Sequence, residues 1–230
     1  MAVSRLLLPP LVMSENRETA ASGPAIMVLR IVSAGRYGKP ALASLMQGKT
    51  MESGLPLRLV IGQIGTPLGD ALVAVDERDV LRALFFADFE ERMHRSLRSQ
   101  YGAMPLEAGR VPEPVREALS AYFDGDQAAL SGLAWATGGT PFQRKVWAAL
   151  SDIPSGTTLS YGALAARLGM PKAVRAVGFA NGANPISVVV PCHRVVGANG
   201  SLTGYGGGLH RKRWLLTHES ALPPDPPRLL

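Results

Sequence analysis

The stretch S-Y-G-A-L-A-A-R-L-G-M-P-K-A-V-R-A-V-G-F-A-N, residues 160–181, decides how the C-terminal half of this 230-residue chain is read. Ser160 is an N-cap, its hydroxyl placed to accept from the first helical turn. Gly169 is a stop, because glycine takes the left-handed conformation that ends a helix without strain. A second helix is predicted to start at Pro171 and run to Asn181. Two short helices around a tight glycine turn read as a helix-turn-helix, with a plain αα-hairpin as the alternative. The second helix is small-sided at Ala173, Ala176, Gly178 and Ala180, with Arg175 as the long side chain near its middle. A helix that reads the major groove carries several long polar side chains. This one suits close approach to a narrow minor groove, where a side chain can enter the base stack.

Charge supports that direction. Residues 137–230 hold 10 Lys+Arg against 3 Asp+Glu, a balance of +7, whereas residues 1–136 hold 14 against 15, a balance of −1. A basic half points to a polyanionic partner, and nucleic acid is the commonest; a merely solvated basic surface is the plainer alternative. One cysteine excludes a disulfide framework and a Cys-rich zinc site. It fits a reduced, cytoplasmic setting. No apolar run reaches the roughly 18 residues of a membrane span. The leucines near the N-terminus are broken by Pro9 and Pro10 with no small-residue cleavage site, so no secretory signal is expected.

Upstream, residues 1–55 show no sustained period and are expected to be a disordered extension, with Met27, Met46 and Met51 as alternative starts. Apolar runs at 57–64, 71–76 and 80–86, divided by turn residues, predict an antiparallel meander. Asp88 is expected to cap a helix with Phe89, Met93, Leu97 and Tyr101 on one stripe, and another helix is predicted over Glu113–Phe123. A small α+β domain at 56–126 and a linker at 127–139 then precede a mostly helical domain at 140–220. The tail at 221–230 is expected to be disordered. Thr140, Pro141 and Gln143 form a capping-box signature opening the first helix of that domain.

The single thiol lies in N-P-I-S-V-V-V-P-C-H-R-V-V-G, residues 184–197. Residues 188–190 read as a short buried strand ending at Pro191, which would display Cys192 at its end. A lone cysteine beside valines is usually an inert core residue. Here His193 and Arg194 bring basic groups beside it. A working thiol needs a lowered pKa or a base at hand. His193, adjacent on the chain, would reach Cys192 through a water. A base needs an orienting carboxylate, and the C-terminal part offers only Asp152, Glu219 and Asp225. Glu219, at the end of the final helix, is the economical choice.

P-C-H-R-V-V, the preceding N-P, the following G-Y-G-G-G and the closing W-L-L-T-H-E together resemble the O6-alkylguanine-DNA alkyltransferases, also called methylated-DNA–protein-cysteine methyltransferases. The likeness extends back through R-A-V-G-F-A-N-G, S-Y-G-A-L-A and G-G-T-P-F-Q-R-K-V-W to I-G-T-P-L-G, roughly residues 57–220. The resemblance implies a ribonuclease-H-like α+β domain at 56–126, followed by a helix-turn-helix domain with a short active-site strand.

It also implies direct, single-turnover transfer of the alkyl group from O6-alkylguanine in DNA to Cys192, with O4-alkylthymine as a further substrate. His193 would be the base acting through water, Glu219 its orienter, and Tyr161 the proton donor to the leaving guanine. The base must be flipped out of the duplex, and Arg175 would fill its place, with Ala173, Ala176 and Gly178 along the minor groove. Asn184 would be the hinge to the active-site strand. Val195, Tyr205, Gly206 and Lys212 would line the base pocket, Lys212 matching a lysine that assists in some members. Gly206 stands where some relatives have serine. Some members hold a structural zinc in the N-terminal domain through Cys and His; no cysteine is available there in this chain, so no metal is expected. No cofactor, no obligatory protein partner and a monomeric state are expected as well. A cysteine hydrolase using Cys192, His193 and Glu219, and a DNA-binding damage sensor without chemistry, are the rival readings.

Overall fold

The computed structural model describes residues 57–223. The extension read at 1–55, its alternative starts and the tail beyond residue 223 lie outside the described residues.

The three apolar runs form the meander: β1 (Leu59–Ile64), β2 (Ala71–Asp76) and β3 (Leu81–Phe86) pair antiparallel. A fourth strand, β4 (Leu106–Ala108), joins β1 in parallel, giving the order β3-β2-β1-β4. Sequence reasoning missed β4 because three exposed residues are too few for an alternation to show. β2 is buried along its whole length, since both faces of the sheet are covered. The pleat sends Leu72 and Ala74 toward Met93 and Leu97 of α1 (Glu90–Tyr101). Ala71, Val73 and Val75 face a larger core. That core also takes Val115 and Leu119 of α2 (Glu113–Phe123) and Val146, Trp147 and Leu150 of α3 (Pro141–Ser151). The sheet and the C-terminal helices therefore share one apolar interior.

Local signals at helix ends read well where the partner is near in sequence. Thr140 Oγ1 accepts from Gln143 N at 3.2 Å and Gln143 Oε1 from Thr140 N at 2.9 Å, the expected reciprocal cap of α3. Ser160 caps α4 (Tyr161–Arg167) by accepting from Ala163 N at 3.1 Å, and Gly169 follows at φ 74°. Asp88 does not cap α1. Residues Ala87–Phe89 form a 3-10 turn, α1 begins at Glu90 without a side-chain cap, and Asp88 Oδ2 accepts from Arg211 at 2.8 Å. A guanidinium is a stronger partner for this carboxylate than one amide at a helix end. α5 (Val174–Gly182) also begins later than Pro171, because a turn closed by Ala173 N donating to Met170 O at 2.9 Å comes first.

The strand expected at 188–190 is not one. Val190 N donates to Ile186 O at 2.9 Å, Val189 N to Ser187 O at 2.8 Å, and Val188 sits at φ 69°, so the run is a buried turn. Three valines signalled burial correctly, but the local hydrogen bonds override their preference for extension. The extended piece lies after the thiol instead, as β6 (Val195–Val196), parallel to β5 (Leu159–Ser160). The segment leading to the cysteine is anchored on the edge of the sheet: Leu84 N donates to Pro185 O at 2.9 Å and Ser187 N to Leu84 O at 3.0 Å. Edge strand β3 thus positions the turn that leads to Cys192. The last helix, α6 (Leu209–His218), ends with Glu219 as its C-cap. Among the described residues, no helix is long and apolar enough to cross a membrane.

Candidate active site

Cys192 opens a 3-10 turn, Cys192–Arg194, and is 5% exposed. Its Sγ accepts from Asn184 Nδ2 at 3.1 Å. The same amide donates to Val190 O at 2.8 Å, and Asn184 Oδ1 accepts from Ile186 N at 3.0 Å. One side chain therefore fastens the valine turn and places a donor on the sulfur. Burial pushes the Cys192 thiol pKa up, only partly opposed by the Asn184 hydrogen bond and the Lys212 charge. The thiol is kept protonated, so reactivity needs a base at hand rather than a standing thiolate.

His193 is fully buried. Its Nε2 lies 2.9 Å from Glu219 Oε1, and its Nδ1 is buried with no hydrogen-bond partner. Burial lowers the imidazole pKa below its ordinary value against the opposing pull of Glu219. A neutral ring donating Nε2–H to a carboxylate leaves the Nδ1 lone pair available as a proton acceptor. Neither ring nitrogen is hydrogen-bonded to Cys192, so a proton passing between them needs an intermediary such as water.

Glu219 is saturated. Oε1 accepts from His193, from Tyr122 OH at 2.7 Å and from Arg194 Nη2 at 2.9 Å; Oε2 accepts from Arg194 Nε at 2.8 Å. Burial pushes its pKa up, but the hydrogen bonds from His193 and Arg194 outweigh that and hold it well below the usual carboxylate range. Arg194 also donates to Ile153 O at 2.5 Å. Sequence reasoning noted Arg194 only as a basic neighbour and missed Tyr122. Val115, Leu119 and Tyr122 form one buried helical stripe. A buried phenol must find a partner, but the stripe does not say which.

On α6, Lys212, Leu216 and Glu219 follow at i, i+4 and i+7, one buried face turned toward the thiol turn. Lys212 Nζ donates to Val195 O at 2.6 Å and Thr203 O at 2.7 Å, fastening the following loop to β6. Burial lowers its pKa to about 8. Tyr161 starts α4 beside Gly178 of α5, where a Cβ would lie 3.8 Å from the ring. Burial raises the Tyr161 phenol pKa, with hydrogen bonding to Thr203 opposing and the Cys192 charge adding. Tyr205 stands edge-on to His193, ring centroids 6.4 Å apart, its hydroxyl buried and without a partner. Gly206 O accepts from Arg92 Nη1 at 3.2 Å, and Arg92 Nη2 donates to Gly182 O at 2.5 Å. This tie from α1 to both the loop and the end of α5 has no sequence signal, since its partners lie 114 and 90 residues away.

The structure thus gathers Cys192, Asn184, His193, Glu219, Lys212, Val195, Tyr161 and Tyr205 around one turn, while Gly206, next to Tyr205, is held by Arg92. Arg175 and Ala176 stand apart on the exposed face of α5, with Ala173 half-buried at its N-cap. Over 168 residues the chain is 52% identical to the methylated-DNA–protein-cysteine methyltransferase of Salmonella typhimurium, covering 72% of this chain and 98% of that protein. The chain belongs to the methylated-DNA–protein-cysteine methyltransferase family. Residues 141–221 match the domain described as 6-O-methylguanine DNA methyltransferase, DNA binding domain. A methyltransferase of the same name from Mycolicibacterium paratuberculosis is 56% identical over 103 residues, 45% of this chain and 62% of that one. The crystal structure of the Mycobacterium tuberculosis O6-methylguanine methyltransferase superposes with a TM-score of 0.58 at 39% identity, covering 73% of this chain and 96% of the other. The same organism's protein in complex with DNA gives 0.59 at 38%, covering 70% and 93%. The family's α+β architecture is the one found here.

Proposed function

We propose that this protein repairs DNA by moving the alkyl group of an O6-alkylguanine onto its own Cys192, once per molecule. The observation that carries the reading is His193, neutral and buried, with Nε2 held by Glu219 and Nδ1 free to take a proton. In the step, the Cys192 proton passes through water to His193 Nδ1 as Sγ attacks the alkyl carbon. The Sγ–C bond forms while the C–O6 bond breaks, and its electron pair leaves with the guanine. Tyr161, its phenol kept protonated by burial, donates a proton to that ring, and the imidazolium supplies the replacement. The products are an S-alkylcysteine and unmodified guanine, which accounts for the absence of turnover. O4-alkylthymine is a second substrate of the same chemistry.

Residues 140–220 would carry DNA binding and alkyl acceptance, joined by the 127–139 segment to the 56–126 sheet portion. Asn184 would act as the hinge of the thiol turn, and Val195, Tyr205, Gly206 and Lys212 as the guanine pocket. Arg175 would occupy the stack position that the flipped base vacates, with Ala173, Ala176 and Gly178 allowing close approach to the minor groove. The protein would act as a monomer in the cytoplasm, where its thiol stays reduced. To test this, incubate it with a duplex containing one O6-methylguanine and map the product by mass spectrometry. A methyl group on the Cys192 peptide, with repair amplitude equal to active protein, is expected. Repeated turnover under excess substrate would reject the proposal.

A further inference from the structure

Phe179 is 80% exposed, the most exposed of the large hydrophobic side chains among the described residues. It lies on α5 four residues after Arg175, so the two share a face, about 6 Å apart along the axis. That is close to two base steps at about 3.4 Å each. Val174 at 37% exposure and the exposed Ala176 flank the face on either side. The minor groove is only about 6 Å wide, so a helix approaches it closely only where its shoulders are this small. The charge around the face selects the partner: no acidic residue occurs between Asp152 and Glu219, while Arg167, Lys172 and Arg175 flank or lie on the two helices. An apolar side chain in a basic field matches a base stack bordered by phosphates.

We propose that Phe179 is a second DNA-contacting wedge, inserted from the minor groove at a base step one helical turn from the point where Arg175 enters. This rests on the repair reading above. Its role is positioning, because it touches neither Cys192 nor the reacting carbon. By unstacking a neighbouring step, it holds the helix in register while the damaged base is out.

The test uses the full chain, Phe179→Ala and Phe179→Trp, with an O6-methylguanine duplex carrying 2-aminopurine beside the lesion. Phe179→Ala should weaken duplex binding about tenfold, in line with the loss of one aromatic–base stack. It should also diminish the rise in 2-aminopurine fluorescence on binding, and Phe179→Trp should restore both. The rate with free O6-benzylguanine, which has no stack to open, should fall far less. Duplex binding and fluorescence equal to wild type in Phe179→Ala would overturn the inference, as would an equal fall in rate on both substrates. So would a wild-type dimer in sedimentation that Phe179→Ala dissolves, since the side chain would then serve self-association. If the wild-type protein transfers no methyl group, the repair reading fails, while the binding and fluorescence arms still judge Phe179.

Discussion

Around residues 192–194 the polar groups are buried and most are matched, His193 Nδ1 standing out as unpaired: Glu219 takes four hydrogen bonds from Tyr122, His193 and Arg194, and Lys212 and Asn184 bind backbone carbonyls. On the outer face of α5, Arg175, Ala176 and Phe179 stand in solvent. Breaking a buried ion pair strands a charge and costs stability, whereas trimming an exposed side chain costs almost none. On the proposed function, the chemistry would depend on an environment built by the fold, and DNA handling on groups whose partners arrive with the DNA. Stability and activity should therefore separate cleanly between the two regions.

The largest effect expected is at the thiol. Cys192→Ala should abolish transfer while duplex affinity, measured by fluorescence anisotropy, stays near wild type. A loss of both would mean that the buried turn also shapes the DNA face. Next comes stability. Arg194→Ala leaves Glu219 without its guanidinium and should cost about 3–5 kcal/mol; Arg175→Ala should stay within about 0.5 kcal/mol. Urea midpoints decide it, and similar midpoints for the two variants would break the contrast.

A smaller effect concerns acid. The folded pKa of Glu219 is depressed, so its contribution is fully present above the unfolded value of about 4.3 and is lost as pH falls toward the folded value. The stability gap between wild type and Glu219→Gln should therefore narrow between about pH 5 and 3, by at most about 1.4 kcal/mol per pH unit. A gap constant with pH would show that the carboxylate is not the charged hub. The smallest effect is on rate. Because the His193 pKa is lowered, transfer should change by less than about twofold from pH 7.5 to 6.5 and fall only in stronger acid. An inflection above about 6.5 in single-turnover rates would contradict a neutral buried base.

Much of the frame was legible because its causes are local. The meander follows from short apolar runs and turn residues, and the Thr140–Gln143 and Ser160 caps involve partners three residues apart. The His193–Glu219 contact was legible because so few carboxylates compete in that half of the chain. What sequence missed depends on distant partners. Asp88 was drawn from its cap by Arg211, 123 residues away. The valine run before the thiol folds as a turn because Asn184 binds Val190 O and the β3 edge holds Pro185 and Ser187 just ahead of it. Arg194, Tyr122 and Arg92 owe their places to contacts across the core, which no spacing pattern announces.

The central claim is that His193 serves the reaction and Arg175 serves the duplex. Single-turnover rates of Arg175→Ala and His193→Gln, each on an O6-methylguanine duplex and on free O6-benzylguanine, test it most directly. Arg175→Ala should lose about 2–3 kcal/mol of transition-state stabilisation on the duplex, on the order of one unstacked step, and far less on the free base. His193→Gln should lose similar amounts on both, because both need the thiol deprotonated. Equal losses on both substrates for Arg175→Ala would contradict the account, since Arg175 would then be supporting the pocket or the fold.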